Sequence, residues 1–309
     1  MDSKSAPEGK ENHLPKGITQ RAMAMRFKVT MILCWMILGI ATPSAEKRSP
    51  EDTSEKITIR DFSDYFHGYN GCFVLYDDKA STYTIFNREK SFEPASPCST
   101  FKIVNSLIGL ETEIVKNENT VFAWDGTNYP YAEWNRDLTM AEAIRLSAYW
   151  YYQRIAGAVG PERMQHFLDA LDFGNRDISG GITQFWQQSS LRISPKAWID
   201  VLRKIHSYDV PFSRRNIDIV KKIIQLDERN GATLYGKTGS GTKEPGFAAI
   251  GPGATIVSGW FVGFLETGQG TFFFATHINA ESNATGAMAK EITLRLLDKL
   301  RIFQRVEGR

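Results

Sequence analysis

The order of its extended and helical stretches constrains this chain more than any other feature. β-Branched and aromatic runs stand at Gly71–Tyr76 and Thr82–Phe86, parted by a polar stretch with Asp77, Asp78 and Lys79, and this predicts a hairpin. Strand-like runs return only at Ala232–Lys237, Ile256–Leu265 and Thr271–His277. Helical spacing fills the interval: Phe101, Ile103, Leu107, Ile108 and Leu110 after Ser99, Leu168 and Leu171 after Gly160-Pro161, and Ile199, Leu202 and Ile205 after Ser194-Pro195. Proline at the first helical position marks two of these starts. Further helices are predicted over Ile217–Leu226 and Thr285–Leu300, with an irregular stretch at Trp124–Pro130. Strands, helices, strands and a last helix, with no βαβ alternation and no repeat, predict an α+β protein. Its antiparallel sheet would be flanked by helices and carry an inserted all-helical subdomain over roughly 99–230.

With 309 residues, 42% hydrophobic and 23% charged, the chain can bury a sizeable core in one large or two small domains. A net charge of +2 leaves no electrostatic footprint for nucleic acid. Arg21, Arg26 and Lys28 precede an uncharged run from Val29 to Ile40, followed by small residues at Ala41, Ser44 and Ala45. That pattern predicts a secretory signal peptide ending at Ala45, so that 1–45 is extension and signal, 46–309 is the folded domain, and the mature chain is periplasmic or extracellular. The apolar run of about a dozen residues falls short of the roughly 20 that span a bilayer; the alternative is a retained anchor. Met23 or Met25 would each give a more usual start for such a signal. Cys72 and Cys98 remain in the exported chain, where a disulfide is permitted and not deducible. His13, His67, His166, His206 and His277 form no i,i+4 pair and have no cysteine at ligand spacing, so no metal site is expected.

The segment Pro97-Cys98-Ser99-Thr100-Phe101-Lys102 puts a hydroxyl and an amine three residues apart at a helix start. Three residues on a helix share a face, so Lys102 lies one turn deeper within reach of Ser99. A serine nucleophile needs a base beside it, and a lysine serves once burial has lowered its pKa from about 10.4. Taken alone, the same letters fit an N-capping serine followed by a surface lysine.

Gly231-Ala-Thr-Leu-Tyr-Gly236-Lys237-Thr238 matches the phosphate-loop pattern letter for letter. Its context rejects nucleotide binding, because Thr233-Leu234-Tyr235 are strand-like and Gly239, Gly241, Pro245 and Gly246 break any following helix. Lys237-Thr238-Gly239 at a strand end instead lets a substrate lie along the strand while an ammonium and a hydroxyl face its carboxylate. A solvated edge lysine before a glycine turn is the alternative. S-x-x-K with K-T-G is the pairing found in penicillin-recognising serine enzymes. Ser147-Ala148-Tyr149 offers a further hydroxyl for a proton relay, or else a helix serine bonded to its own backbone.

Ser99-Thr100-Phe101-Lys102, Ser147-Ala148-Tyr149, Phe173-Gly174-Asn175 and Lys237-Thr238-Gly239 together resemble the ordered motifs of class D, oxacillinase-type, β-lactamases. The likeness extends through Gly71–Asp77, Ile178–Ile182 and Phe185-Trp186, covering about Asp61 to Ile302. It implies a penicillin-binding transpeptidase fold, a catalytic domain over 46–309, β-lactam antibiotics as ligands, and no cofactor beyond CO2 or bicarbonate carboxylating Lys102. By the resemblance Ser99 is the nucleophile, carboxylated Lys102 the base, Trp186 its hydrogen-bond partner and Ser147 the relay. The N–H groups of Ser99 and Ser240 form the oxyanion hole, and Lys237, Thr238, Gly239, Ser240 and Tyr149 meet the substrate.

Three departures from the family pattern stand out. Phe173 stands where tyrosine is usual, Tyr149 where valine is usual, and Gly286-Ala287-Met288-Ala289 shows no arginine for the substrate carboxylate. Trp124-Asp-Gly-Thr and Trp150-Tyr-Tyr-Gln are similar to the penicillin-sensor domains of membrane-bound resistance regulators, which acylate and hardly turn over. The leading expectation is therefore a secreted serine β-lactamase. A β-lactam receptor that stays acylated is the alternative, and a cell-wall D,D-peptidase is a third.

Overall fold

The protein is described here from a computed structural model, which covers residues 56–247 and 250–303. The signal peptide expected to end at Ala45 lies outside the described residues. β1 (Lys56–Ile59), β2 (Asn70–Asp77) and β3 (Thr82–Phe86) open the chain. β2 and β3 form the predicted hairpin, with Tyr76 opposite Tyr83. α1 (Arg88–Phe92) follows, then a 3-10 turn at Cys98–Phe101 leading into α2 (Lys102–Glu111). Next come β4 (Val121–Phe122), β5 (Leu138–Thr139), α3 (Met140–Leu146), α4 (Tyr149–Val159), α5 (Pro161–Leu171), α6 (Pro195–His206) and α7 (Arg214–Ile223). β6 (Gln225–Arg229), β7 (Ala232–Thr242), β8 (Ile256–Thr267), β9 (Gly270–Asn279) and α8 (Gly286–Lys299) complete it.

Seven of the nine described strands form one sheet in the order β1-β3-β2-β9-β8-β7-β6. Three expectations need correction. The sheet is mixed, because β9 occupies the free side of β2 and β1 therefore pairs with β3, in parallel. The helical insertion is not all-helical, since β4 and β5 pair within it. α7 stops at Ile223 because β6 begins to pair with β7 at Gln225.

Alternation along the strands supplies both faces of the sheet with apolar side chains. Val74, Tyr76, Val262, Phe264 and Ala275 join a core with the helical insertion, whereas Phe73, Leu75, Phe261, Leu265 and Phe274 join one with Ala289, Ile292 and Leu296 of α8. The glycines of β7 and β8 serve this packing: a Cβ on Gly263 would lie 2.0 Å from the Tyr235 carbonyl oxygen. The phosphate-loop look-alike runs straight into this strand, which is why it binds no nucleotide in the manner of that motif.

Candidate active site

Ser99 lies in the 3-10 turn, three residues before α2 begins at Lys102. Cys98 takes a φ of 49°, a left-handed conformation that costs an L-residue about 1–2 kcal/mol. The turn is held by its surroundings: Cys98 N donates to the Trp186 carbonyl at 2.9 Å, and Thr100 Oγ1 donates to the Pro97 carbonyl at 2.6 Å. From the sheet, Trp260 Nε1 donates to the Ser96 carbonyl at 2.9 Å, and Ser96 Oγ donates to the Trp186 carbonyl, also at 2.9 Å. So anchored, the turn leaves Ser99 half-buried among buried neighbours.

Lys102 is completely buried, and its Nζ donates to Ser99 Oγ at 2.7 Å. Burial, reinforced by the charge of Lys237, drives its pKa well below the ordinary lysine value. The adjoining Cys98 thiol offers no counter-charge, because burial pushes it up to about 11. A neutral amine beside a hydroxyl can accept that hydroxyl's proton, so the pair answers the requirement for an activated serine.

Ser147 caps the C-terminus of α3 with a φ of 58°, in the bend between α3 and α4. Its hydroxyl does not bond its own helix backbone; it accepts from Lys237 Nζ at 3.1 Å. Lys237 also donates to the Thr238 carbonyl at 3.0 Å, and burial followed by the charge of Lys290 lowers its pKa to about 8.

The Lys-Thr-Gly segment stands within β7, not at its end as expected, because β8 pairs with β7 out to Thr242. β6 stops pairing at Tyr235 and the Gly236 N–H still donates to the Ile224 carbonyl at 2.9 Å, so the other edge of β7 opens beyond Gly236. The Ser240 carbonyl accepts from Gln187 Nε2 at 3.0 Å, which puts it and the Ser240 N–H on that open edge. A Cβ on Gly239 would lie 3.0 Å from the Pro97 carbonyl oxygen and 3.2 Å from Ser99 N. Glycine there lets the strand and the serine turn close on each other.

The resulting cleft has a volume of about 540 Å³, and Ser99, Ser147, Tyr149, Thr238, Gly239 and Ser240 all line it. Lys102 and Trp186 sit behind its wall, and Lys237 lines a neighbouring cavity. The Trp186 ring lies 5.6 Å from that of Phe101, and its buried Nε1 has no hydrogen-bond partner among the described residues. Tyr149 stacks on Phe247 at 4.5 Å and meets Trp134 edge-on at 5.1 Å. Sequence reasoning missed Tyr131, Glu133, Trp134, Arg145 and Ile250 in the lining, and Gln187 as the group that orients Ser240. They sit on an irregular loop, a helix end and turns, where no spacing announces a shared cleft.

The departures from the family pattern have physical consequences. Phe173 packs against Phe101 at 5.6 Å and Trp198 at 5.0 Å, so this position serves the core. Gly174 must remain glycine, since a Cβ there would lie 1.9 Å from the Arg192 carbonyl oxygen. An arginine at 286 has no room, because a Cβ on Gly286 would lie 2.6 Å from the Gly239 carbonyl oxygen. Cys72 and Cys98 are both buried free thiols.

The family of the penicillin binding protein transpeptidase domain matches residues 71–298. The chain belongs to the penicillin-binding transpeptidase family. Within it, the chain is 37% identical over 276 residues to "Probable beta-lactamase YbxI" of Bacillus subtilis, covering 89% of this chain and 98% of that one. It is 36% identical over 284 residues to "Regulatory protein BlaR1" of Bacillus licheniformis, covering 90% of this chain and spanning only 45% of that protein's length. A crystal structure of a class D β-lactamase from Bacillus subtilis superposes with a TM-score of 0.72 at 39% identity, over 80% of this chain and 98% of that one. This transpeptidase-family chain thus carries its serine, two lysines and open strand edge within the matched region.

Proposed function

We propose that the protein hydrolyses the amide of β-lactam antibiotics through an acyl-enzyme on Ser99. The observation that carries the reading is the 2.7 Å contact between Ser99 Oγ and a fully buried Lys102 whose pKa is strongly depressed. Neutral Lys102 takes the hydroxyl proton as Oγ attacks the lactam carbonyl carbon. The charge on the carbonyl oxygen falls to the N–H groups of Ser99 and Ser240. As the carbon–nitrogen bond breaks, the ring nitrogen receives a proton from the Ser147 hydroxyl, which Lys237 holds at 3.1 Å, and the proton that Lys102 took from Ser99 replaces it, returning Lys102 to the neutral amine. Lys237, Thr238 and Ser240 receive the substrate carboxylate in place of the arginine that Gly286 cannot be, and Tyr149 borders the acyl side.

In deacylation water attacks the ester, and the same buried lysine is placed to take its proton. Carboxylated by CO2, Lys102 would supply a carbamate oxygen as the stronger base. Two features support that modification: an amine held neutral, and the orphaned indole N–H of Trp186 in the same aromatic wall. We further propose that the chain is exported, on the residues ending at Ala45.

The likeness to a BlaR1 sensor raises a second reading, a receptor that stays acylated. A chromogenic cephalosporin separates the two. Continuous turnover far beyond one equivalent supports the hydrolase; a single stoichiometric burst means a receptor or a peptidase that stays acylated.

A further inference from the structure

Behind Lys237, on the side away from Ser99, a second cavity of about 700 Å³ opens between α3, the end of α7, β7 and α8. It shares Arg145 and Thr238 with the reaction cleft, so the two spaces meet along β7. Its acidic side chains are already engaged: Glu118 pairs with Lys222 at 2.8 Å, and Glu142 pairs with Arg136 at 2.9 Å while closing the capping box of α3. Three cations remain. Lys237 is buried to within 7% of full and has only neutral oxygens as partners. Among the described residues, neither Arg145 nor Lys290 has a carboxylate within ion-pair reach. Lys290 lies 5.9 Å from the Phe261 ring centroid and close enough to Lys237 to lower that ammonium's pKa.

A like charge at Lys290 beside a largely desolvated ammonium raises the energy of the empty site, and an anion in the cavity they share with Arg145 lowers it. Guanidinium and ammonium donors suit the oxygens of a small oxyanion, which the cavity holds with room for its water. We propose that Arg145, Lys237 and Lys290 form a second anion site, distinct from the reaction cleft, that takes a small oxyanion such as inorganic phosphate. Its occupant holds Lys237 in the ammonium form that Ser147 and the reaction cleft use. This site stands on charge and shape alone and needs no β-lactam chemistry.

The test is titration of the resting, full-length protein with inorganic phosphate at constant ionic strength, followed by phosphorus NMR or calorimetry. Saturable one-to-one binding is expected. Lys290→Gln and Arg145→Gln should each weaken it about tenfold, the worth of one charge-assisted contact. Lys290→Arg should retain it, and so should Ser240→Ala, because Ser240 lines only the reaction cleft. Both cations are partly or fully exposed, and unchanged thermal midpoints will show that the variants fold. Unsaturable binding, or affinity indifferent to both substitutions, means solvated cations only and overturns the site. A loss in Ser240→Ala as large as in Lys290→Gln places phosphate in the reaction cleft and overturns it equally.

Discussion

The Tyr149 ring stacks on that of Phe247 at 4.5 Å, and Phe247 turns its edge to Trp186 at 5.6 Å. Phe247 is only 6% exposed, so the pair closes the aromatic wall in front of Trp186. Tyr149 therefore seals the region that a smaller residue would leave thinner, and a dry wall favours a neutral lysine and its carbamate.

From that seal follows the first prediction. Wild-type turnover should rise with added bicarbonate and saturate, and labelled CO2 should give a carbamate carbon signal. Tyr149→Ala should need up to about tenfold more bicarbonate, because an aromatic pair contributes roughly 0.5–1.5 kcal/mol. Identical bicarbonate curves for the two proteins would show that the stack does not guard Lys102.

Lys237 sets the alkaline limit. Its ammonium loses a proton near pH 8, so kcat/KM for a carboxylate-bearing lactam should fall as pH rises through about that value. Burial and the charge of Lys290 hold this value down, and Arg145 lines the same cavity. Lys237→Arg, which keeps its charge, should move the fall upward or abolish it. An alkaline limb unchanged in that variant would assign the titration to another group.

Much of this was legible in the sequence, for identifiable reasons. Pro161 and Pro195 begin α5 and α6 because proline fits a first helical turn, and the β2–β3 hairpin follows from its two β-branched and aromatic runs. Ser99, Ser147 and Lys237 stood out as candidates only together, because each motif alone also fits a structural serine or a solvated lysine, whereas the three follow one another in the order of a known family. What escaped was set by distant partners. β1 lies against β3 because β9 covers the other side of β2, β7 runs on past Gly239 because β8 offers a ladder, and Arg145 and Lys290 share a cavity from elements far apart in the chain. Short-range periodicity carries no such signal.

Buried His277 should make the fold acid-sensitive. Its Nε2 bonds Ser258 Oγ at 3.0 Å, its Nδ1 has no partner, and burial, then Lys90, lowers its pKa to about 3. The unfolded chain binds this proton near pH 6.5 and the folded one does not, so the stabilisation is full above about pH 6.5 and declines as pH falls toward 3. At pH 4.5 the loss is about 3 kcal/mol, from two pH units at about 1.4 kcal/mol each. Urea midpoints at pH 7 and 4.5 should differ accordingly, and much less in His277→Gln; an equal difference in both proteins would contradict the assignment.

Gly239→Ala should separate activity from stability. The new methyl would press on the Pro97 carbonyl and Ser99 N at 3.0 and 3.2 Å, and the turn bearing them is pinned by Trp186 and Trp260 through Ser96. β7 must yield instead, which parts the two N–H donors. Stability should drop by about 1–3 kcal/mol, as for other overpacked sites, while kcat falls on the order of a hundredfold. Equal activity at reduced stability would remove Ser240 N–H from the oxyanion role.

The account rests on Ser99 attacking the lactam, and mass spectrometry of the acid-quenched penicillin reaction tests that step directly. Wild-type protein should gain one penicilloyl mass, mapped to the peptide that contains Ser99. Ser99→Ala should gain none while keeping its fold, since the hydrogen bond this hydroxyl accepts from Lys102 is worth a few kcal/mol at most. A penicilloyl adduct that persists on Ser99→Ala, or maps to any other residue in the wild type, would contradict the central claim.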